Sequence, residues 1–170
     1  MKVAFFDRDG TIIEDYADHE WTHVTFPVFM DGAIPVLKEV NRKGYAIIII
    51  TNQYIIGEGH ITVDQYHDIN RQMAKDLKRH GVIIHDIYYC PHARTGNCSC
   101  IKPKTGMIEK ALNTHPGIDL TESFMIGDSA ADVELAINMN IRGFGIGVGS
   151  DYRYGNIREL AAIKDLIAYL

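Results

Sequence analysis

The run AIIII at residues 46–50 constrains this chain more than any other stretch. No polar residue alternates through it, so a strand built from it has no face to offer to water. It is also far short of the ~20 apolar residues that a membrane-spanning helix needs. It reads as a strand covered on both sides. Residues 3–6, 83–89, 124–126 and 144–148 are further short apolar runs, rich in β-branched or aromatic side chains, and read the same way.

Helical patterns lie between these runs. Ile34, Leu37 and Val40 recur at helical spacing, with Gly44 placed to end the helix. Thr62 and Gln65 form a capping box ahead of a stripe of Tyr66, Ile69, Met73 and Leu77, which stops before Gly81. Met107, Ile108, Ala111 and Leu112 mark a third helix, and Val133, Ala136 and Ile137 a fourth. Asn156 with Glu159 is expected to cap a last helix carrying Ile157, Leu160, Ile163 and Ile167. Every stripe is read as core packing. Strands alternating with helices predict an α/β fold: a Rossmann-like open, mostly parallel sheet, with right-handed crossovers and helices on both faces. With no repeat, linker or low-complexity segment, residues 1–170 are expected to form a single domain.

In such sheets ligands bind beyond the carboxyl ends of the strands. The residues that matter are then those just after each apolar run: Asp7, Thr51, Cys90 and Asp128. FFDRDGT places Asp9 two residues after Asp7, with Gly10 permitting a tight turn whose N–H groups can face an anion. A second strand ends in Thr51-Asn52, and a third in Gly127-Asp128 with Asp132 four residues on. If those strands are adjacent, Asp7 and Asp128 converge and repel unless a cation sits between them. A hard divalent ion with oxygen ligands, Mg²⁺, suits that arrangement. Lys102, in IKPKTG, supplies positive charge from the protein.

All three cysteines fall within residues 90–100, in CPHARTGNCSC. Cys90, His92, Cys98 and Cys100 are ligands of the types zinc prefers, close enough to surround one ion. Filling all four positions with protein leaves none open for chemistry, so the expected Zn²⁺ is structural. It would shape the loop that leads into Lys102. An odd number of cysteines cannot all pair, and the N-terminus MKVAFFDRDG reaches charged residues too soon for a signal peptide. Both point to reduced thiols and a cytoplasmic location. The net charge of −5 offers no basic field to a nucleic acid.

DRDGT followed by TNQ, KP and GDSAAD resembles the haloacid dehalogenase (HAD) superfamily of phosphatases across essentially the whole chain. CPHx₅CxCxKP and TNQYIIGEGHIT resemble its zinc-loop branch, which contains D-glycero-D-manno-heptose 1,7-bisphosphate phosphatases and histidinol-phosphatase domains. The resemblance implies no large cap domain and a phosphoaspartate mechanism. Asp7 would be the nucleophile and Asp9 the acid and then the base. Mg²⁺ would be held by Asp7, the Asp9 backbone carbonyl and Asp128. Thr51 and Lys102 would bind the phosphoryl oxygens, Asn52 and Gln53 the substrate, and Asp132 would orient Lys102. The implied substrate is a small phosphate monoester, with heptose bisphosphate first, histidinol phosphate second and a polynucleotide 3′-phosphate third, met by a monomer. A catalytically silent phospho-receiver or scaffold on the same sheet would be expected to lack Asp9 or Lys102.

Two departures touch recognition. The branch commonly reads CRKP where this chain has Ile101, and GYVH where it has DYADHEWTHV. An isoleucine cannot make an arginine's bidentate contact to a second anionic group. Arg142, Arg153 and Arg158 are candidates to replace that charge. Trp21 is a candidate either to stack on substrate or to pack. The remaining histidines are scattered and read as surface or packing residues.

Overall fold

The computed structural model describes residues 1–170. Six strands form one sheet in the order β3-β2-β1-β4-β5-β6, every neighbouring pair parallel. They are β1 Val3–Phe6, β2 Ala46–Asn52, β3 Ile84–Cys90, β4 Phe124–Gly127, β5 Arg142–Ile146 and β6 Ile157–Leu160. The helices are α1 Ala33–Arg42, α2 Tyr54–Gly57, α3 Val63–Arg79, α4 Gly106–Thr114 and α5 Ala130–Asn138. The Thr62–Gln65 capping box forms as expected at the start of α3.

Successive residues of β1 and β2 point to opposite faces, and each face has its own core. Ala4, Phe6, Ile47 and Ile49 pack with Val36, Leu37 and Val40 of α1 and with Tyr66, Met73 and Leu77 of α3. Val3, Phe5, Ile48 and Ile50 pack with Met107, Ile108 and Ala111 of α4 and with Leu135 and Ala136 of α5. Helices therefore cover both faces, as the unalternating AIIII run requires. Each fully buried aliphatic or aromatic side chain stabilises the fold by roughly 1.5–3 kcal/mol relative to an exposed one.

The C-terminal segment departs from the sequence expectation. Residues 157–160 form the edge strand β6 rather than the start of a helix, and a 3₁₀ helix, Ile163–Tyr169, follows. Ile157 packs into one core and Leu160 into the other. Residues three apart in a strand face opposite ways, so their spacing fits an edge strand as well as a helical stripe. The free edge of β5 decides between them, because its backbone groups need partners. Exposed Arg158 and Glu159 then guard the new edge. The fifth strand also begins two residues earlier than its apolar run suggests, at Arg142, just ahead of the glycine-rich stretch 143–155.

β1 lies between β2 and β4, so chains leave it in opposite directions and a crevice opens at its carboxyl end. Around this crevice stand the loop after β1, with its 3₁₀ helix Glu20–His23, the short α2, and the loop joining β3 to α4. No inserted element is large enough to act as a cap.

Candidate active site

Asp7 follows β1 directly, its N–H donating to the carbonyl of Ile126 on β4 at 2.9 Å. This lock between neighbouring strands brings Asp7 and Asp128 to the same edge. Gly10 closes the turn with φ +83°, and a Cβ there would collide with the Asp128 carboxylate. Backbone conformation and space both demand glycine at this position. The Thr11 hydroxyl lies 3.5 Å from Asp7 Oδ2 and 3.4 Å from Asp128 Oδ1, between the two carboxylates.

Lys102 reaches the same point from the β3–α4 loop. Its buried ammonium donates to Asp7 Oδ1 and to Asp132 Oδ1, each at 2.6 Å. Asp132 is fully engaged: its Oδ2 accepts from the Ser129 N–H at 3.0 Å and the Ser129 hydroxyl at 2.6 Å. Asn52 grips the backbone of Lys102, accepting its N–H at 2.8 Å and donating to its carbonyl at 3.2 Å. The lysine is thus aimed by β2 and α5 together.

The charges do not balance. Burial works against the Lys102 ammonium, but Asp132 and then Asp7 outweigh it and hold the amine above the ordinary lysine range. The lysine stays charged, and the cost falls on the carboxylates. Burial pushes the Asp7 carboxyl well above its usual range, with Lys102 opposing and Asp132, Asp128 and Asp9 adding to the rise. Burial, then Asp132, pushes Asp128 up as well. Carboxylate oxygens of Asp7, Asp128 and Asp132 lie within 4.8 Å of one another. With Asp132 saturated by Lys102 and Ser129, Asp7 and Asp128 are the pair whose excess charge a hard cation would relieve.

A cavity of about 270 Å³ opens above this cluster. Asp7, Asp9, Asn52, Lys102 and Asp128 line it, with Asp15, Asp18, Trp21 and Tyr54 on the outer wall. Trp21 is buried at 3% exposure and donates its indole N–H to Asp15 at 2.9 Å, so it both packs and faces the cavity. Arg142, Arg153 and Arg158 do not line it. Thr51 and Gln53 are also absent from its wall. Gln53, expected against substrate, is fully buried and donates to Asp9 Oδ2 at 2.7 Å and to the Thr51 hydroxyl at 2.9 Å. A donor pointed at Asp9 is not available to a leaving group.

The four zinc-type ligands do meet. Cys90 Sγ lies 3.5 Å from His92 Nδ1 and 3.6 Å from Cys98 Sγ, while Cys100 Sγ is 3.1 Å from His92 Nδ1 and 2.9 Å from Cys90 Sγ. Tetrahedral zinc with bonds of about 2.0–2.3 Å sets ligand atoms roughly 3.5–3.8 Å apart, so the cluster is of the right size, slightly contracted. Desolvation pushes the Cys90 and Cys100 thiols up. For Cys98 it is outweighed by the N–H groups of Ile101 and Cys100, which bring that thiol down to about 6. Backbone donors that favour a thiolate suit a metal ligand.

Two arginines carry structure that the sequence does not mark. Arg8 is buried and grips both oxygens of Asp9. Arg94, on the cysteine loop, bridges Asp18 at 2.9 Å and Glu58 at 2.7 Å and stacks 4.1 Å above the Tyr54 ring. It ties three loops together at the cavity mouth. No spacing rule singles out either residue, since a charged side chain among polar neighbours reads as solvated.

Parallel sheet, acidic turn after β1 and carboxylates after β4 give this chain the fold of HAD-like phosphatases of known structure. The chain belongs to the polynucleotide kinase 3 phosphatase family, whose sequence model matches residues 2–149. A D-glycero-beta-D-manno-heptose-1,7-bisphosphate 7-phosphatase of Haemophilus influenzae is 36% identical over 148 residues, covering 83% of this chain and 78% of the relative. The histidine biosynthesis bifunctional protein HisB of Campylobacter jejuni is 35% identical over 148 residues, but the match covers 86% of this chain and only 42% of that longer protein. Among solved structures, a D,D-heptose 1.7-bisphosphate phosphatase from B. bronchiseptica, complexed with magnesium and phosphate, superposes with a TM-score of 0.85. It covers 99% of this chain and 97% of its own at 20% identity, a likeness of fold.

Proposed function

We propose that this chain is a Mg²⁺-dependent phosphomonoesterase that works through a phosphoaspartate, and that its substrate is D-glycero-D-manno-heptose 1,7-bisphosphate. The observation that carries the reading is Lys102, held at 2.6 Å by both Asp7 and Asp132 beside Asp128, at the crevice where a small ester fits. Asp7 uses a carboxylate oxygen to attack phosphorus, and the bond from phosphorus to the leaving oxygen breaks. Asp9 gives that oxygen its proton. Asp9, now a carboxylate, takes a proton from water, whose oxygen attacks phosphorus and releases phosphate and free Asp7. Lys102 steadies the phosphoryl oxygens, Asp132 and Asn52 keep it aimed, and Thr51, buried off the cavity wall, accepts from Gln53 behind the site.

Asp7, the Asp9 backbone carbonyl and Asp128 fit a Mg²⁺ ion by their hard oxygen donors and uncompensated charge. When bound, the ion supplies neutralisation of the negative charge gathered at the transferring group. Cys90, His92, Cys98 and Cys100 hold a structural Zn²⁺ that shapes the loop delivering Lys102. Residues 1–170 act as one domain and a monomer in the cytoplasm, a location that the odd number of cysteines supports.

The relative named for heptose bisphosphate matches along most of its own length, which favours that substrate over histidinol phosphate. A polynucleotide 3′-phosphate is disfavoured by a cavity wall that offers five aspartates and one lysine. The test is steady-state phosphate release with Mg²⁺ from both heptose 1,7-bisphosphate anomers, histidinol phosphate and a 3′-phosphorylated oligonucleotide. Preference for a heptose anomer, abolished by Asp7→Asn, is the expected result. Preference for either other compound overturns the substrate, and turnover by Asp7→Asn overturns the mechanism.

A further inference from the structure

Arg8 is a fully charged group placed where a hydrophobic side chain would be expected. It is 1% exposed and packs against the aromatic rings of Trp21 and Tyr66, whose centroids lie 5.6 Å and 5.1 Å from its guanidinium carbon. Burying an ion is costly, and an apolar side chain of similar volume often serves a core as well or better. The partners of the guanidinium say what the charge is for. Nε donates to Asp9 Oδ1 at 2.8 Å and Nη2 to Asp9 Oδ2 at 3.1 Å, while Nη1 donates to Asn70 Oδ1 on α3 at 2.8 Å. Gln53 adds a third donor to Asp9 at 2.7 Å.

We propose that Arg8 is the positioning residue for Asp9, a buried fork that fixes the plane of its carboxylate at the cavity floor and is itself anchored to α3 through Asn70. A two-toothed grip removes rotation about the last side-chain bond, which one hydrogen bond would leave free. The Trp21 and Tyr66 rings pack against the guanidinium and keep water from it. Asp9 sits in a turn, with no helix or strand of its own to hold its side chain, so its aim depends on this scaffold. Proton transfer to and from a reacting oxygen requires heavy atoms at hydrogen-bond distance, and an error of 1 Å costs on the order of 10²-fold in rate. Asp9 still lines the cavity, where the leaving oxygen would lie.

This inference rests on Asp9 being the acid and base of the proposed reaction, and the experiment separates the two. Phosphate release by the full chain with Mg²⁺ is measured for Arg8→Met, Arg8→Lys and Asn70→Ala, each in the parent and in an Asp9→Asn background. The substrates are 4-nitrophenyl phosphate and an alkyl phosphate. Arg8→Met is expected to lower kcat on the order of 10²-fold in the parent with KM little changed. Arg8→Lys, which keeps the charge but not the fork, is expected to recover only part of it. In the Asp9→Asn background the Arg8→Met loss should collapse to within about twofold, the limit for groups that act through one another. The same loss in both backgrounds, or a change in KM alone, overturns the proposal. If Arg8→Met fails to fold, Asn70→Ala carries the test, because it leaves the guanidinium in place and loosens only its anchor. A kcat loss seen only when Asp9 is present supports the proposal; a loss independent of Asp9, or none, overturns it. Full kcat in Asp9→Asn alone would overturn the catalytic reading beneath the proposal, a distinct failure.

Discussion

Replacing Asp132 by alanine tests whether Lys102 is held in place by its partners or would sit there without them. The ammonium has two carboxylate partners, Asp7 and Asp132, each at 2.6 Å, and both the lysine and Asp132 are buried. The variant leaves the charge against one carboxylate. Unit charges ~4 Å apart attract by ~4 kcal/mol at an effective dielectric constant of ~20. Breaking a buried pair by removing one partner costs about 3–5 kcal/mol. Since Asp7 remains, the lower end applies, ~3 kcal/mol. Alanine also gives up the carboxylate that accepts from the Ser129 N–H and hydroxyl at the start of α5, worth ~1 kcal/mol. A total near 4 kcal/mol lowers Tm by roughly 8–16 °C in a domain of this size. In the active site the lysine would then turn all its attraction on Asp7, occupying an electron pair of the proposed nucleophile, and kcat should fall by about 10²–10³-fold. Thermal unfolding by circular dichroism and phosphate release, measured on the same samples well below either Tm, check both effects. Asp132→Asn, which keeps an acceptor but not the charge, should fall between alanine and the parent. Asp132→Ala within ~0.5 kcal/mol of the parent, and with unchanged kcat, would refute the claim that Asp132 holds Lys102.

Three further outcomes follow from the same geometry. Protein purified without chelator should carry one zinc, lost on Cys98→Ser together with much of kcat; metal analysis showing no zinc in the parent would remove the structural-metal reading. Burial opposes the Lys102 charge, but Asp132 and Asp7 hold its amine above the ordinary value. A raised folded-state value means this stabilisation is fully present below the unfolded-chain value of ~10.4 and is lost as pH rises through the folded value. The Tm gap between the parent and Lys102→Met should therefore hold from neutral pH to ~10.4 and narrow above it, as a pH series of melting curves would show. Finally, Ile101→Arg places a guanidinium next to Lys102 and should lower KM for a bisphosphate by about tenfold, the equivalent of ~1.4 kcal/mol; an unchanged KM would mean the second phosphate lies elsewhere.

Much of the fold and part of the site could be read from the residues alone, because those features depend on local period and spacing. The AIIII run has no polar face, so it had to be a strand between two helical layers, and the two cores on either side of β2 follow from it. Asp7, Asp128 and Lys102 each stand just beyond a strand or on a loop at its end, and parallel strands in order bring such positions together. Cys90 ends β3, and His92, Cys98 and Cys100 lie in the loop that follows it, so their meeting needed no knowledge of the rest of the chain.

Tertiary structure decided what depends on partners far apart in sequence. The spacing of Ile157 and Leu160 satisfies a helix and an edge strand equally, and only the open edge of β5 selects the strand. Gln53 reads as a substrate contact until Asp9, 44 residues away, claims its amide. Arg8 looks like a solvated charge between two aspartates, and its burial exists only because Trp21 and Tyr66 close over it and Asn70 of α3 accepts its third arm. Whether a charge is buried and what it holds are properties of its surroundings in space. Periodicity along the chain carries no record of them.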